Sequence, residues 1–278
     1  MTNKNFYSKR SAILFVVLAI VFSALLDLAI CITKNESLIG ILMWMPALAA
    51  FIAAFVAVKD RGEKASFRNI MNTLSFRKAK FKYLLWGCLI PLLYLMIPYV
   101  IFWLVFPDSL VMEEGLIFTL VQSLILLPVG TAVSMLTAIG EEIGWRGFEV
   151  PSLIENWGLK KTLVFSSGLW CLWHFPILLG TSYMEGTPVA YKLIAFTITI
   201  FPIGIICGLL TYISKSIWPA ALIHAAHNNY DQQIFGPITV SASKMYYVSE
   251  TGVITMVCAW TIAVLLYVYV KKHAKEVC

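Results

Sequence analysis

Charged residues are scarce in this sequence: Asp, Glu, Lys and Arg make up only 13% of its 278 residues, against 60% hydrophobic residues. A soluble domain carries about 25% charged residues, so the composition excludes an ordinary soluble enzyme or binding module. The alternation of about ten residues that marks a membrane β-strand is also missing. What is present is long apolar runs of the length at which a helix crosses a bilayer. The sequence therefore predicts an all-α, polytopic membrane helical bundle.

Eight apolar segments are long enough to be transmembrane spans. They lie near residues 11–32, 38–58, 83–106, 115–140, 160–182, 191–213, 216–234 and 252–270. The first run is too long for the apolar core of a cleaved signal peptide and contains Asp27, so we interpret it as the first span. Because neither a soluble domain nor an internal repeat is visible, residues 1–278 are interpreted as one transmembrane domain, whose core is at about 115–234.

Positive charge is nearly absent from every second loop. Of the 21 Lys and Arg residues, only Lys34, Lys192 and Lys244 fall on one side of the predicted bundle, and the other 18, from Lys4 to Lys275, fall on the side of the termini and the 59–82 loop. Basic loops stay in the cytoplasm, so both termini are predicted to be cytoplasmic. The net charge of +6 follows from this bias and from attraction to anionic lipid heads. It needs no nucleic-acid partner.

The basic 59–82 loop contains a short helical pattern. Its apolar residues Phe67, Ile70, Met71 and Leu74 fall on one face of a helix, and Ser66 is placed to cap the N-terminus. Two interpretations stay open: a helix that lies on the cytoplasmic membrane surface, or a loop helix that packs on the bundle.

Several motifs that carry chemistry elsewhere are missing. There is no HExxH zinc helix, no GxGD motif for paired catalytic aspartates and no glycine-framed GxSG serine. The cysteines form no CxxC pair and no cluster with histidine, so we interpret them as small buried hydrophobic residues. They are Cys31, Cys88, Cys171, Cys207, Cys258 and Cys278.

A few ionisable residues interrupt the apolar runs, and such residues are costly in lipid and therefore point to function. They are Asp27, Glu141, Glu142, Arg146, His174, His224 and His227. A lone buried histidine is usually a satisfied core residue, but three of them with glutamates on three spans favour one polar pocket. We expect that pocket to open to the cytoplasm. Asp27 is either a support for the pocket or an unrelated buried residue.

The two glutamates differ in their local partners. Glu142 and Arg146 are four residues apart and share a helical face, so their presence is explained if their charges simply neutralise each other. Glu141 points about 100° away and has no local partner. A free carboxylate can take a proton from water, and imidazole and amide groups, as in Asn228, can stabilise an oxyanion. Histidine and glutamate are also ligands of catalytic zinc. Two kinds of hydrolysis therefore stay open, one with water activated by the carboxylate and one with water activated by zinc.

Three short motifs occur in order on the predicted spans. They are Glu141-Glu142-Ile-Gly-Trp-Arg146, Trp170-Cys-Leu-Trp-His174 and His224-Ala-Ala-His227-Asn228. Together they resemble EExxxR, aromatic-xxx-His and HxxxN of the CPBP family of intramembrane proteases. That family includes the type II CAAX prenyl proteases and bacteriocin-processing or immunity proteins. Trp170 is a departure, since phenylalanine is commoner there, but it keeps an aromatic wall.

The resemblance implies an eight-helix bundle and an endopeptidase that acts on peptides or lipidated proteins. We expect it in a bacterial cell membrane, with its active site facing the cytoplasm. By this resemblance, Glu141 would activate water with help from His174, and His224 with Asn228 would stabilise the oxyanion. The family is often described as metal-dependent, but a metal-free glutamate mechanism fits the residues equally well. The cofactor expected is therefore none, or a zinc ion on Glu141, His174 and His224.

The remaining motif residues are given supporting roles by the resemblance. Glu142 and Arg146 would hold the geometry of the site, and Trp170 would form part of its wall. His227 lies outside the motif, so its role stays open. The substrate, its cleavage site and any need for a prenyl group are not identified by the sequence.

Two other classes of function stay open. A non-catalytic immunity protein that binds a bacteriocin or its receptor would tolerate loss of Glu141. A proton-coupled transporter or channel would use buried His and Glu residues as a relay, but such proteins contain broken helices in two repeated halves. No repeat is visible here, although four prolines could kink spans. These are Pro91, Pro98, Pro128 and Pro202.

Overall fold

The computed structural model describes residues 6–273, and the prediction of an all-α membrane helical bundle is confirmed. Within this range no β-strand forms, and the extended pairing is limited to an isolated bridge between Leu110 and Thr239. Both termini lie outside the described residues, as do Lys4, Lys275 and Cys278. The orientation predicted for the termini therefore stays a prediction.

The helices follow one another with short connections. In chain order they are α1 (Lys9–Thr33), α2 (Ile39–Leu42), α3 (Met45–Asp60), α4 (Phe67–Thr73), α5 (Phe81–Val105), α6 (Leu116–Glu142), α7 (Val150–Trp173), α8 (Phe175–Gly180), α9 (Val189–Ser214), α10 (Trp218–Asn229), α11 (Lys244–Tyr247) and α12 (Val253–His273). Two π-helical segments, Ile143–Glu149 and Tyr230–Phe235, continue α6 and α10. Many Leu, Ile, Val and Phe side chains on the long helices are exposed, which suits a lipid-facing surface.

Six helical runs of the described chain are long and apolar enough to cross a membrane, against eight predicted spans. Two predicted spans, 115–140 and 160–182, fall within one continuous run of 65 residues, Leu116–Gly180. The predicted span 216–234 corresponds to α10, which has only 12 residues, and to the π-helical segment after it. The predicted segments are helical, and the difference between six runs and eight spans arises from how the helical segments are divided.

The 65-residue run turns back on itself near Gly158, which has a positive φ of 73° that favours glycine. A straight helix would separate two residues 29 positions apart by about 43 Å. Nevertheless Trp170 donates a hydrogen bond to Glu141, and Ser166 donates one to Glu149. The end of α6, with its π-helical extension, therefore lies beside the second part of α7.

This turn corrects one part of the sequence interpretation. Residues 141–159 fall between the predicted spans 115–140 and 160–182, and Arg146 is one of the 18 cations assigned to the side of the termini. The structure keeps this segment helical and buries Arg146, because its charge is paired with Glu142 inside the bundle. Without Arg146 the charge bias between the two ends of the bundle is still strong.

The loops at each end of the bundle are tied to one another. At one end, which we call the basic face, the 59–82 loop bonds to the start of α10 through Ser75 and Ile217. At the other end, which we call the opposite face, Ser182 donates to Glu36 and Tyr183 donates to Glu250. Residues 34–38, 106–115, 181–188 and 236–252 form this opposite face.

The 59–82 loop packs on the bundle. Ser66 caps α4, as predicted, by accepting a hydrogen bond from the Asn69 amide at 3.3 Å. Leu74 is fully buried and Ile70 packs against the core, whereas Phe67 is largely exposed. This burial favours the loop helix that packs on the bundle over the helix that lies on the membrane surface.

Two glycines let α3 approach the segment that carries the glutamates. A Cβ atom on Gly144 would lie 2.4 Å from the Cβ of Pro46, and one on Gly140 would lie 2.6 Å from the carbonyl oxygen of Met43. Small residues at helix contacts are typical of membrane bundles, where close packing replaces the hydrophobic effect. These contacts fix the helix on both sides of Glu141 and Glu142. The five described cysteines are free, in agreement with the sequence.

Candidate active site

The predicted site residues from three helices meet at one cavity of about 360 Å³. Glu141 comes from the end of α6, Trp170 and His174 from the end of α7, and His224 and Asn228 from α10. The rest of the wall is mostly apolar and includes Trp173, Phe196, Ile200 and Ile203. An apolar pocket with a few convergent polar groups is the usual form of a ligand site.

Glu141 is held by the indole of Trp170. The Nε1–H of Trp170 donates to Oε2 of Glu141 at 2.7 Å, and the carboxylate is only 1% exposed. The sequence left Glu141 without a partner on its own helix, and the partner proves to be the aromatic residue of the second motif. An indole N–H orients a carboxylate but supplies no countercharge, so Glu141 keeps its capacity to accept a proton.

Glu142 joins the first and third motifs. Its Oε1 accepts hydrogen bonds from a guanidinium nitrogen of Arg146 at 2.8 Å and from Nδ1 of His224 at 2.9 Å. The predicted pair with Arg146 is therefore present, and the same oxygen also orients an imidazole of the cavity. Arg146 lies over the ring of Trp170, 4.1 Å from its centroid, which adds a cation–π contact.

The helix widens directly after these two glutamates. Residues Ile143–Glu149 are π-helical, and single turns of π-helix are frequent at functional sites. The segment is buried throughout. Its last residue, Glu149, accepts a hydrogen bond from Ser166 at 2.6 Å, which ties the segment to α7.

The hydrogen bonds of His174 and His224 fix which ring nitrogen is engaged and which stays available. The amide of His174 bonds to Cys171, in a tightened last turn, which leaves the carbonyl of Trp170 free for Nδ1 of His174 at 2.7 Å. A carbonyl can only accept, so Nδ1 carries the proton and Nε2 of His174 is the available nitrogen. Nδ1 of His224 likewise donates to Glu142. Both histidines therefore keep Nε2 for chemistry.

His227, whose role the sequence left open, is engaged through both nitrogens. Its Nδ1 lies 3.2 Å from the hydroxyl of Tyr94 and its Nε2 lies 3.0 Å from Oε1 of Glu250. A carboxylate cannot donate, so Nε2 carries the proton and Nδ1 accepts from Tyr94. His227 is thus held by its neighbours at the edge of the cavity.

Glu250 is a residue of this cavity that sequence reasoning missed. It lies just before α12, in the loop Ser249–Thr251, and accepts hydrogen bonds from His227 and Tyr183. Burial acts to raise the pKa of Glu250, but these hydrogen bonds outweigh it and hold that pKa below its ordinary value. The sequence signal was weak: a lone glutamate beside an apolar run, far along the chain from the motifs.

Asp27 does not belong to the cavity wall. It is buried within α1, and the cavity is lined by residues of other segments. Of the two interpretations left open by the sequence, a direct place in the pocket is not supported by this geometry.

The three residues suggested as zinc ligands share the cavity but do not form a metal site as placed. Among residues 6–273, no group of three His, Cys, Asp or Glu side chains is close enough to hold a metal ion. Catalytic zinc needs three protein ligands and one open position. Glu141, His174 and His224 therefore do not fit zinc in this arrangement.

The sequence matches known proteins over the part that holds the three motifs. Residues 122–230 match the family model described as type II CAAX prenyl endopeptidase Rce1-like. The resemblance to the CPBP family is confirmed. A relative, CAAX prenyl protease 2 of Methanococcus maripaludis, is 30% identical over 137 residues, which are 48% of this chain and 47% of the relative. The chain thus spans about half the length of the curated relative it matches.

The CPBP match covers most of α6 and all of α7 to α10, but not Glu250. The residues that meet at the cavity are therefore of two kinds. Glu141, His174, His224 and Asn228 lie inside the matched segment, whereas Glu250 lies beyond it. The contact between His227 and Glu250 joins the two.

Proposed function

We propose that this chain is an intramembrane endopeptidase that hydrolyses membrane-associated or lipidated peptides with a glutamate-activated water. The observation that carries the proposal is the convergence of Glu141, His174, His224 and Asn228 on a single, mostly apolar cavity. Each imidazole has its Nδ1 fixed by a neighbour, so the group that faces the cavity is defined before substrate binds. The names of the matched family and relative point to the same reaction class.

The first step is attack of water on the scissile carbonyl. Glu141 takes one proton from the water while the water oxygen bonds to the carbonyl carbon. Nε2 of His174, which is free to accept, holds the water in line. The Trp170 indole keeps the carboxylate of Glu141 in place at 2.7 Å, so proximity and orientation are set in advance.

The second step is collapse of the tetrahedral intermediate. Its oxyanion accepts hydrogen bonds from the amide of Asn228 and, in the imidazolium form, from Nε2 of His224. The carboxylate of Glu142 is bound to Nδ1 of His224, and its negative charge stabilises that imidazolium. The proton taken up by Glu141 passes to the leaving nitrogen as the C–N bond breaks, which returns the carboxylate to its starting state.

The arrangement also indicates a substrate class. The cavity is buried among apolar and aromatic side chains, and the bundle around it is lipid-exposed. A peptide segment next to a membrane anchor can reach such a site, whereas a folded soluble domain cannot enter 360 Å³. A prenyl group, as in the names of the matched proteins, is one such anchor.

Glu141→Gln tests this function. Glutamine keeps the shape of glutamate and can still accept the Trp170 hydrogen bond, but it cannot take a proton at neutral pH. We expect cleavage of membrane peptides to fall to background while melting temperature in detergent is unchanged. Comparing membrane peptides of cells that carry the wild-type or the variant chain would reveal the uncleaved substrate. An unchanged peptide pattern would instead favour the non-catalytic immunity protein.

A further inference from the structure

Asp231 is a buried carboxylate that the proposed reaction does not use. It lies behind the cavity wall, in the π-helical segment Tyr230–Phe235 that continues α10. Its Oδ1 accepts a hydrogen bond from the hydroxyl of Tyr99 at 2.8 Å, and its Oδ2 accepts one from the hydroxyl of Ser249 at 2.6 Å. Tyr99 belongs to α5 and Ser249 to the loop before α12. This one side chain therefore joins the end of α10 to two other segments.

Asn228, three residues before Asp231, has no side-chain anchor of its own. It lines the cavity, and within residues 6–273 its side chain forms no hydrogen bond with another protein group. The imidazole of His224, by contrast, is held by Glu142. The position of the Asn228 amide is therefore set by the backbone of α10. Because the regular α-helix gives way to the π-helical segment two residues later, that backbone depends on the contacts around it.

Anchors lie on both sides of Asn228. His227 bonds to Glu250, and Asn229 donates to a backbone carbonyl of α6 at 2.8 Å. Asp231 adds the contacts to α5 and to the 249–251 loop. Ser249, its partner in that loop, has a φ of 65°, which is costly for a residue with a Cβ. The loop keeps this strained conformation while its hydroxyl is bonded to Asp231, so the contact is a constrained feature of the fold.

We propose that Asp231 is a positioning residue for Asn228. By fixing the end of α10 against α5 and the 249–251 loop, it places the Asn228 amide where the oxyanion forms, without touching the substrate itself. This inference rests on the proposed function, in which Asn228 is an oxyanion donor. Such a donor acts within about 3 Å of the oxyanion, and a misplacement of about 1 Å can cost about 10² in rate. A small movement of the helix end is therefore enough to impair catalysis.

Tyr99→Phe is the mildest test, because it removes only the hydroxyl that donates to Asp231. Tyr7→Phe is the matched control: its buried hydroxyl donates to the carbonyl of Thr73, also at 2.8 Å, but at the basic face and away from α10. The substrate is the membrane peptide that accumulates with Glu141→Gln. We expect Tyr99→Phe to lower kcat by about tenfold with little change in KM, and Tyr7→Phe to leave both constants unchanged. Equal kcat values for the two variants would overturn the inference.

Variants of Asp231 itself separate positioning from charge and from general stability. Asp231→Ala removes both hydrogen bonds and should lower kcat further. Asp231→Asn should restore kcat, because its amide still accepts from Tyr99 and can donate to the hydroxyl of Ser249. In the Asn228→Ala background, Asp231→Ala should cause no additional loss, since residues that act through one another are not additive. Equal losses in both backgrounds, or an Asn variant as impaired as the Ala variant, would overturn the inference.

A second readout does not depend on catalysis. In detergent-solubilised protein whose asparagines are isotope-labelled for NMR, the side-chain amide signal of Asn228 is identified by its absence from Asn228→Ala. We expect this signal to shift in Tyr99→Phe and to stay in place in Tyr7→Phe. An unchanged signal in both variants would overturn the inference. Failure of the proposed function would show separately, as full activity of Glu141→Gln.

Discussion

At the scale of single residues, the hydrogen bond on one ring nitrogen decides what each histidine can do. His174 and His224 have Nδ1 bound to a carbonyl and to a carboxylate, so Nε2 is available in both. His227 has both nitrogens bound, so none is available. All three are buried histidines in apolar helices, and only their partners separate two candidates for catalysis from one positioning residue.

Asn228 is expected to act on the transition state. Loss of one oxyanion donor typically costs about 10²–10³ in turnover. Asn228→Ala should therefore lower kcat by about that factor with little change in KM, because a ground-state carbonyl gains less from the amide than the oxyanion does. Steady-state kinetics on a cleaved peptide separates the two constants. A raised KM with an unchanged kcat would assign Asn228 to substrate binding instead.

Glu250 is expected to hold His227 and Tyr183 together. Both neighbours donate to its carboxylate, one to each oxygen, so Glu250→Gln replaces one of the two accepting oxygens by an NH2 group that faces a donor. A buried polar group left unpaired costs about 1–3 kcal/mol, which should appear as a lower melting temperature in detergent.

The matched control for Glu250 is the double variant Glu250→Gln with Tyr183→Phe, which removes one of the competing donors. It should recover part of the lost stability, and the non-additivity measures the coupling. Strictly additive losses from the two single changes would contradict the proposed network.

The sequence indicates only those residues of the candidate site whose charge interrupts an apolar run. Glu141, Glu142, His174 and His224 stand out because ionisable residues in lipid are costly. Trp170 as the partner of Glu141 and Glu250 as the partner of His227 could not be found this way. Each contact joins residues that are distant in sequence and depends on how the helices pack.

At the scale of helices, hydropathy identified nearly every long element but misplaced one boundary. Residues 141–159 contain five charged side chains and fall between the predicted spans 115–140 and 160–182. Three of those charges, those of Glu141, Glu142 and Arg146, are satisfied by contacts inside the bundle, which lets the helix continue to the turn at Gly158. Hydropathy measures the cost of a charge in lipid and does not register a partner on another helix.

The close approach of α3 to the glutamate-bearing helix makes a prediction at this scale. Gly144→Ala adds a methyl group that would lie 2.4 Å from Pro46, so the helices must separate. Overpacking of this kind costs about 1–3 kcal/mol, and we expect both melting temperature and activity to fall. Gly168→Ala in α7 is the matched control, because its Cβ would meet only Phe201 at an ordinary 3.8 Å. Equal melting temperatures for the two variants would show that α3 adjusts without cost.

At the scale of the whole molecule, the fold separates two groups of charged residues, those in the loops and those buried inside the bundle. Most loop cations lie at the basic face, whereas the charges of Glu141, Glu142 and Arg146 are buried inside the bundle at or beside the cavity. Arg146 belongs to the second group although its position in the sequence suggested the first.

Whether the protein requires a metal ion is also tested on the whole folded chain. A metal ion that binds only the folded chain raises its stability by mass action, so its removal lowers the melting temperature of the entire bundle. Because Glu141, His174 and His224 are not grouped as zinc ligands, we expect chelator-dialysed protein in detergent to keep its melting temperature and its activity. Metal content is measured on the same samples, with a zinc protease as the control for effective chelation. One zinc ion per chain, with activity lost on its removal and restored on its return, would refute the glutamate mechanism and make these three residues ligands.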